Sequence, residues 1–135
     1  MRTVFGTWRL VKAIAEDADG KPLPPPFGGE LAIGRLVLRE DGRMMASIID
    51  SRHEIPEGQI RDYSAYCGAF TFDGETLITK VDASVDADRI GTDQVRGVSF
   101  EGELMVLRPP LRSYGGRPAE QRVIWWEKLL SLIHI

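Results

Sequence analysis

Apolar and polar residues alternate along most of the chain, in short runs separated by clusters of turn-forming residues. Val4 to Ile14 reads as a first strand: Gly6, Trp8 and Leu10 share one face, Thr7, Arg9 and Val11 the other, and Trp8 points inward. Glu16 to Pro22 is turn chemistry. The following Pro22-Leu23-Pro24-Pro25-Pro26 blocks ladder donors and predicts a long loop, either a cover over a barrel mouth or a solvated connector. Leu31 to Arg39 and Arg43 to Ile49 are the second and third strands, joined by Glu40-Asp41-Gly42, where Asp-Gly supplies the positive φ of a tight hairpin. Asp50 to Ser64 breaks the alternation, and Pro56-Glu57 there predicts the start of a short helix with Ile60 and Tyr63 on one side.

Tyr66 to Asp73 is the fourth strand, with Tyr66, Gly68, Phe70 and Phe72 on one face, and Asp73-Gly74-Glu75 turns it into Thr76 to Ser84. In that fifth strand Leu77, Thr79, Val81 and Ala83 form the inward set against Lys80, Asp82 and Ser84. Thr92 to Phe100, Glu103 to Arg108 and Arg122 to Leu129 complete the series. Pro109-Pro110 ends the seventh strand, and Arg112 to Glu120, with Gly115-Gly116, forms a second loop. Eight consecutive strands predict an all-β fold, an eight-stranded antiparallel up-and-down barrel with one short helix near its mouth; a two-sheet sandwich is the alternative.

A chain of 135 residues predicts a single domain spanning 1–135, large enough for one core or one cavity. Its 17 basic and 20 acidic side chains are scattered without a basic stripe, so no nucleic-acid partner is expected. No run approaches the ~20 apolar residues of a membrane span, and none has the pattern of a secretory leader. The one cysteine, Cys67, has no intrachain partner, and a cytoplasmic location is expected. The apolar tail Leu130-Ser131-Leu132-Ile133-His134-Ile135 predicts homodimer packing or an extra strand pairing.

In order along the chain stand Gly6-Thr7-Trp8-Arg9-Leu10, Asp19-Gly20-Lys21-Pro22, Asp41-Gly42-Arg43-Met44, Tyr66-Cys67-Gly68-Ala69-Phe70, Val81-Asp82-Ala83-Ser84, Gly91-Thr92-Asp93-Gln94-Val95-Arg96 and Trp126-Glu127-Lys128. Together they resemble the bacterial and fungal lipocalin-like domain family of small stand-alone barrels. The resemblance implies that Gly6 and Trp8 plug the closed end, with Lys128 of the last strand laid over the indole. Two departures stand out. Similar sequences carry a His pair where this chain has Thr79 and Lys80, and their final cation is often Arg, whose planar fork stacks better on indole than Lys128.

The expected cavity is lined by Tyr66, Phe70, Phe72, Leu77, Thr79, Val81, Gln94, Arg96, Val98 and Phe100. One of the two adjacent tryptophans, Trp125 or Trp126, completes it, with Trp125 taken as the inward one. Gln94 and Arg96 share a face with Val98 and Phe100. A buried Arg96 needs partners: either it pairs with Glu127 or packs on Trp8, or it clamps an anion or carbonyl of a ligand. Tyr66 is either packing or a phenol donor, and Tyr63 a rim residue. His53 is an exposed loop residue or a general base at the mouth. Lys80 and Asp82 read as a surface pair, and Cys67 as a small buried hydrophobe. Two distant histidines and one cysteine predict no metal site, and the absence of a phosphate loop or dinucleotide fingerprint predicts no cofactor. The favoured function is binding of a small apolar molecule in the cavity. The alternatives are a cofactor-free isomerase or cyclase of polyketide- or terpenoid-like compounds, using Arg96 or Tyr66, and a filled barrel serving as an interaction module.

Overall fold

The computed structural model describes residues 3–113 and 116–130. Within them the strands are β1 (Gly6–Asp17), β2 (Pro22–Leu23), β3 (Ala32–Leu38), β4 (Arg43–Asp50), β5 (Tyr63–Phe72), β6 (Thr76–Ser84), β7 (Asp93–Glu101), β8 (Leu104–Arg108) and β9 (Glu120–Lys128). β2 only extends the end of β1, at Ala15↔Leu23 and Glu16↔Pro22. The other eight strands follow one another in sequence order, all antiparallel, and β1 pairs with β9. The sheet therefore closes into an eight-stranded up-and-down barrel rather than opening into a sandwich, and closure removes its edges.

Local chemistry explains the hairpins. Gly42, at φ +87°, turns β3 into β4 while the Asp41 carboxylate accepts the Arg43 N–H at 3.2 Å. Asp73 does the same for the next hairpin, accepting the N–H groups of Glu75 at 2.9 Å and Thr76 at 2.7 Å. β4 shows the expected period in full, with Met44, Ala46, Ile48 and Asp50 buried and every residue between them exposed.

Three features depart from the sequence reading. No helix forms after Pro56. Gly58 adopts φ +83°, one turn closes with Gln59 N–H on the Pro56 carbonyl at 3.0 Å, and Ile60 and Tyr63 stay exposed, so no buried face exists to support a helix. The helical segments present are two single 3₁₀ turns, Gly29–Leu31 and Ala87–Arg89, and among the described residues no helix is long and apolar enough to cross a membrane. Two bulges then reset the alternation. One, in β1 between Leu10 and Lys12, sends Ala13 and Ala15 inward after Trp8 and Leu10. The other lies in β6 opposite Cys67 and Gly68, and leaves Ala83 exposed while the half-buried Ser84 pairs with Tyr66.

Candidate functional site

Hairpins 39–42, 73–75 and 101–103 gather at one end of the barrel, and this end is filled. Trp8, 2% exposed, donates its indole N–H to the Val4 carbonyl at 3.0 Å, and Lys128 Nζ lies 5.7 Å from its ring centroid. Gly6 makes room for that side chain: at φ +141° a Cβ there would meet Lys128 Cε at 2.6 Å. Leu38, Met44, Phe70, Leu77 and Met105 pack on Trp8 as a continuous core, with Phe72, Val98 and Phe100 half-buried against it. The expected ligand contacts Phe70, Phe72, Leu77, Val98 and Phe100 are thus floor packing. Thr79 and Val81 are buried as well and do not reach the cavity wall.

Above this floor a cavity of about 170 Å³ remains. Its apolar wall is Leu36, Ala46, Ile48, Leu107, Ile124 and Trp126. Its polar wall carries Ser64 and Tyr66 of β5, Arg96 of β7, Arg122 of β9, and Arg89, Arg112, Asp62 and Asp86 from the mouth loops. Arg89 lies over the Tyr66 ring, Cζ at 4.2 Å from the centroid, and donates to Ser64 Oγ at 3.0 Å and Gln94 Oε1 at 2.8 Å. Arg96 donates to the same Gln94 oxygen at 3.1 Å and to the Val95 carbonyl at 2.9 Å. Gln94, itself buried, is the post between two guanidinium groups.

A second, open cleft of about 1100 Å³ lies outside the mouth, between the Pro24-Pro25-Pro26 loop, the 52–62 loop and residues 117–120. Of the two readings of the proline loop, the structure supports the one at the mouth. Phe27, Asp62 and Arg122 line both spaces and form the partition between them. Phe27 is 5% exposed and stands at φ +59°, where non-glycine residues are uncommon; Gly28 and Gly29 continue at +80° and +70°. Asp62 holds this corner, accepting the Phe27 N–H at 3.2 Å and Arg122 Nη1 at 3.3 Å.

Beneath the corner is Asp50, fully buried, whose carboxylate accepts Arg52 Nη2 at 2.6 Å and Nε at 3.0 Å. These bonds hold its pKa below the usual carboxylate value, against the opposing effect of desolvation. A Cβ on Gly28 would strike the Asp50 carboxylate at 2.2 Å, so glycine is required for the loop to lie this close. Arg61 donates to the carbonyls of Asp50 at 2.6 Å and Arg52 at 2.7 Å, tying down the far side of the same loop.

A family described as the lipocalin-like domain matches residues 5–129 of this chain. The chain belongs to the lipocalin-like domain family. No curated protein and no solved structure matches it.

In this lipocalin-like barrel Tyr66 and Arg96 stand on the cavity wall, with Gln94 directly behind them. Trp126, rather than Trp125, faces inward. Trp125 packs outside with Val106 and Val123, under Lys12 Nζ at 4.4 Å from its ring, and donates to Glu101 Oε2 at 2.8 Å. Arg96 meets neither Glu127, which accepts Arg9 Nε at 2.7 Å, nor Trp8, whose cation is Lys128. His53 is exposed and lines neither space. Asp82 pairs with Arg43 at 2.6 Å rather than with Lys80, and that bond lowers its pKa. Cys67 sits half-buried on the outer face, Sγ 3.6 Å from Asp82 Oδ1, instead of in the core. Ala83 is exposed because of the β6 bulge. The apolar tail lies outside the described residues except for the exposed Leu130, as do His134 and Gly115. Among the described residues, no three His, Cys, Asp or Glu side chains are grouped so as to hold a metal ion.

Sequence reasoning missed Arg89, Arg112 and Arg122. For Arg122 a signal existed: it alternates with Ile124 and Trp126, so placing Trp126 inward would have brought Arg122 with it. For Arg89 and Arg112 no local pattern marks the inward direction. Asp86 shapes the first of these turns by accepting the Asp88 N–H at 3.1 Å, and a bridge between Arg112 and Glu120 shapes the second.

Proposed function

We propose that this lipocalin-like barrel binds a small molecule in its inner cavity, with an apolar body against Leu36, Ile48, Leu107, Ile124 and Trp126 and a polar end toward Tyr66 and Arg96. One observation carries this reading. Between a packed floor and a gated mouth the barrel keeps a space whose wall is apolar on one side and rich in fixed donors on the other, the usual composition of a ligand site. Volume limits the size. A cavity of ~150 Å³ accepts benzene, so about 170 Å³ accommodates one ring or a short branched chain.

That size weighs against the enzymatic reading. A polyketide- or terpenoid-like compound is larger than the cavity and would have to extend past Phe27 into the outer cleft before Tyr66 or Arg96 met a developing enolate. Native mass spectrometry of the purified chain, with denaturing extraction alongside, tests the binding reading. A retained small molecule of single-ring size supports it, and failure of every ring-sized probe, with or without a polar end, to raise the melting temperature at saturation refutes it.

A further inference from the structure

We infer that the occupant of this cavity is a small organic anion, a monocarboxylate on a body of about one ring, and that Arg96 receives its carboxylate. This rests on the binding reading above and adds the charge of the ligand. The cavity wall holds four arginines, Arg89, Arg96, Arg112 and Arg122, against two carboxylates, Asp62 and Asp86. Both carboxylates are engaged locally. Asp62 pairs with Arg122 at 3.3 Å, and Asp86 lies 3.8 Å from Arg112 while accepting the Asp88 N–H at 3.1 Å. Arg122 has a second carboxylate partner in the buried Glu120, at 3.4 Å, and every guanidinium stays charged at any pH the fold survives.

Arg96 is where that charge is met only by neutral groups. Its two hydrogen bonds go to the Val95 carbonyl and to the side-chain oxygen of Gln94, and among the described residues it makes no ion pair. The same Gln94 oxygen accepts from Arg89, so one neutral oxygen on a buried residue stands between two cations. A carboxylate placed beside Arg96 gains charge-assisted hydrogen bonds that the two neutral oxygens do not supply. Tyr66, whose ring underlies Arg89, also lines the space in which the anion would sit. The opposite wall, Leu36, Ile48, Leu107 and Trp126, offers no polar partner in a side chain except the indole N–H, so the rest of the ligand is apolar.

Isothermal titration of the full chain with benzoate, with benzamide as its neutral isostere, tests this, and benzene in a thermal-shift assay reports whether the cavity opens at all. Benzoate is expected to bind about tenfold or more tighter than benzamide, the range of a charge-assisted hydrogen bond. The preference is expected to vanish in Arg96→Gln. Gln94→Glu places a built-in carboxylate between the two guanidiniums and is expected to abolish the preference as well, while keeping the wild-type circular dichroism spectrum. Should Arg96→Gln fail to fold, Gln94→Glu decides alone. Benzoate binding no tighter than benzamide, or a preference that survives Gln94→Glu, overturns the anion inference and leaves the binding reading standing. If benzene, benzamide and benzoate all fail to bind, both readings fall.

Discussion

Phe27 offers the sharpest test of how the mouth is built, because there the usual ranking of two substitutions should reverse. Its ring is buried between cavity and cleft, with Arg122 Cζ 5.3 Å from the centroid, and its backbone sits at φ +59°. Truncating a buried Phe to Ala removes about 3–5 kcal/mol of packing, and a site beside open spaces belongs at the lower end, about 3 kcal/mol. Alanine keeps the left-handed strain, which amounts to about 1–2 kcal/mol for a residue with a Cβ. Glycine at the same place relieves it, and gives back about 0.4–1 kcal/mol through the greater freedom of its unfolded chain. Phe27→Gly should therefore be the more stable variant by about 0.5–1 kcal/mol, although glycine is normally the less stable of the two in regular structure. In equilibrium urea unfolding this is a midpoint difference of roughly 0.5 M in favour of glycine, with unchanged slopes. A Phe27→Ala protein as stable as Phe27→Gly, or more so, would refute the assignment of strain to this residue. Both variants also join cavity and cleft, so ligands longer than one ring should gain affinity over the wild type.

Two further outcomes follow from other parts of the barrel. A Cβ on Gly68 would lie 2.0 Å from the Lys80 carbonyl oxygen at the β6 bulge, a backbone contact with little room to yield. Gly68→Ala is accordingly expected to lose more than about 3 kcal/mol or to accumulate as insoluble protein, and an unchanged melting temperature would show that the bulge is not where we place it. Asp50 governs acid sensitivity: its pKa is lowered in the folded state by Arg52, so the stability it contributes is fully present above the unfolded value of ~3.9 and is lost as pH falls through the folded value. Between pH 5 and pH 3 the wild-type urea midpoint should fall further than that of Asp50→Asn, and parallel curves would contradict the role of this ion pair.

The hairpins were legible in the sequence because their causes are local. Asp41-Gly42 and Asp73-Gly74 carry both the positive φ and the capping carboxylate within a few residues, and β6 begins and ends where alternation and turn chemistry place it. Order along the chain then implied the barrel, since consecutive strands with short turns pair with their neighbours. The plugged end was also legible, because Gly6, Trp8 and Lys128 occupy recognisable positions in the first and last strands. Alternation says which residues share a face, however, and leaves open which face is the inside. That depends on pairing across the sheet, and each bulge inverts it. The inward turn of Trp126 and the outward turn of Trp125, the exposure of Ala83, and the placing of Phe70, Leu77 and Phe100 in the floor were all decided there. So was the gathering of Arg89, Arg96, Arg112 and Arg122 around one small space: these residues come from two loops and two strands, and only closure of the barrel brings their charges together.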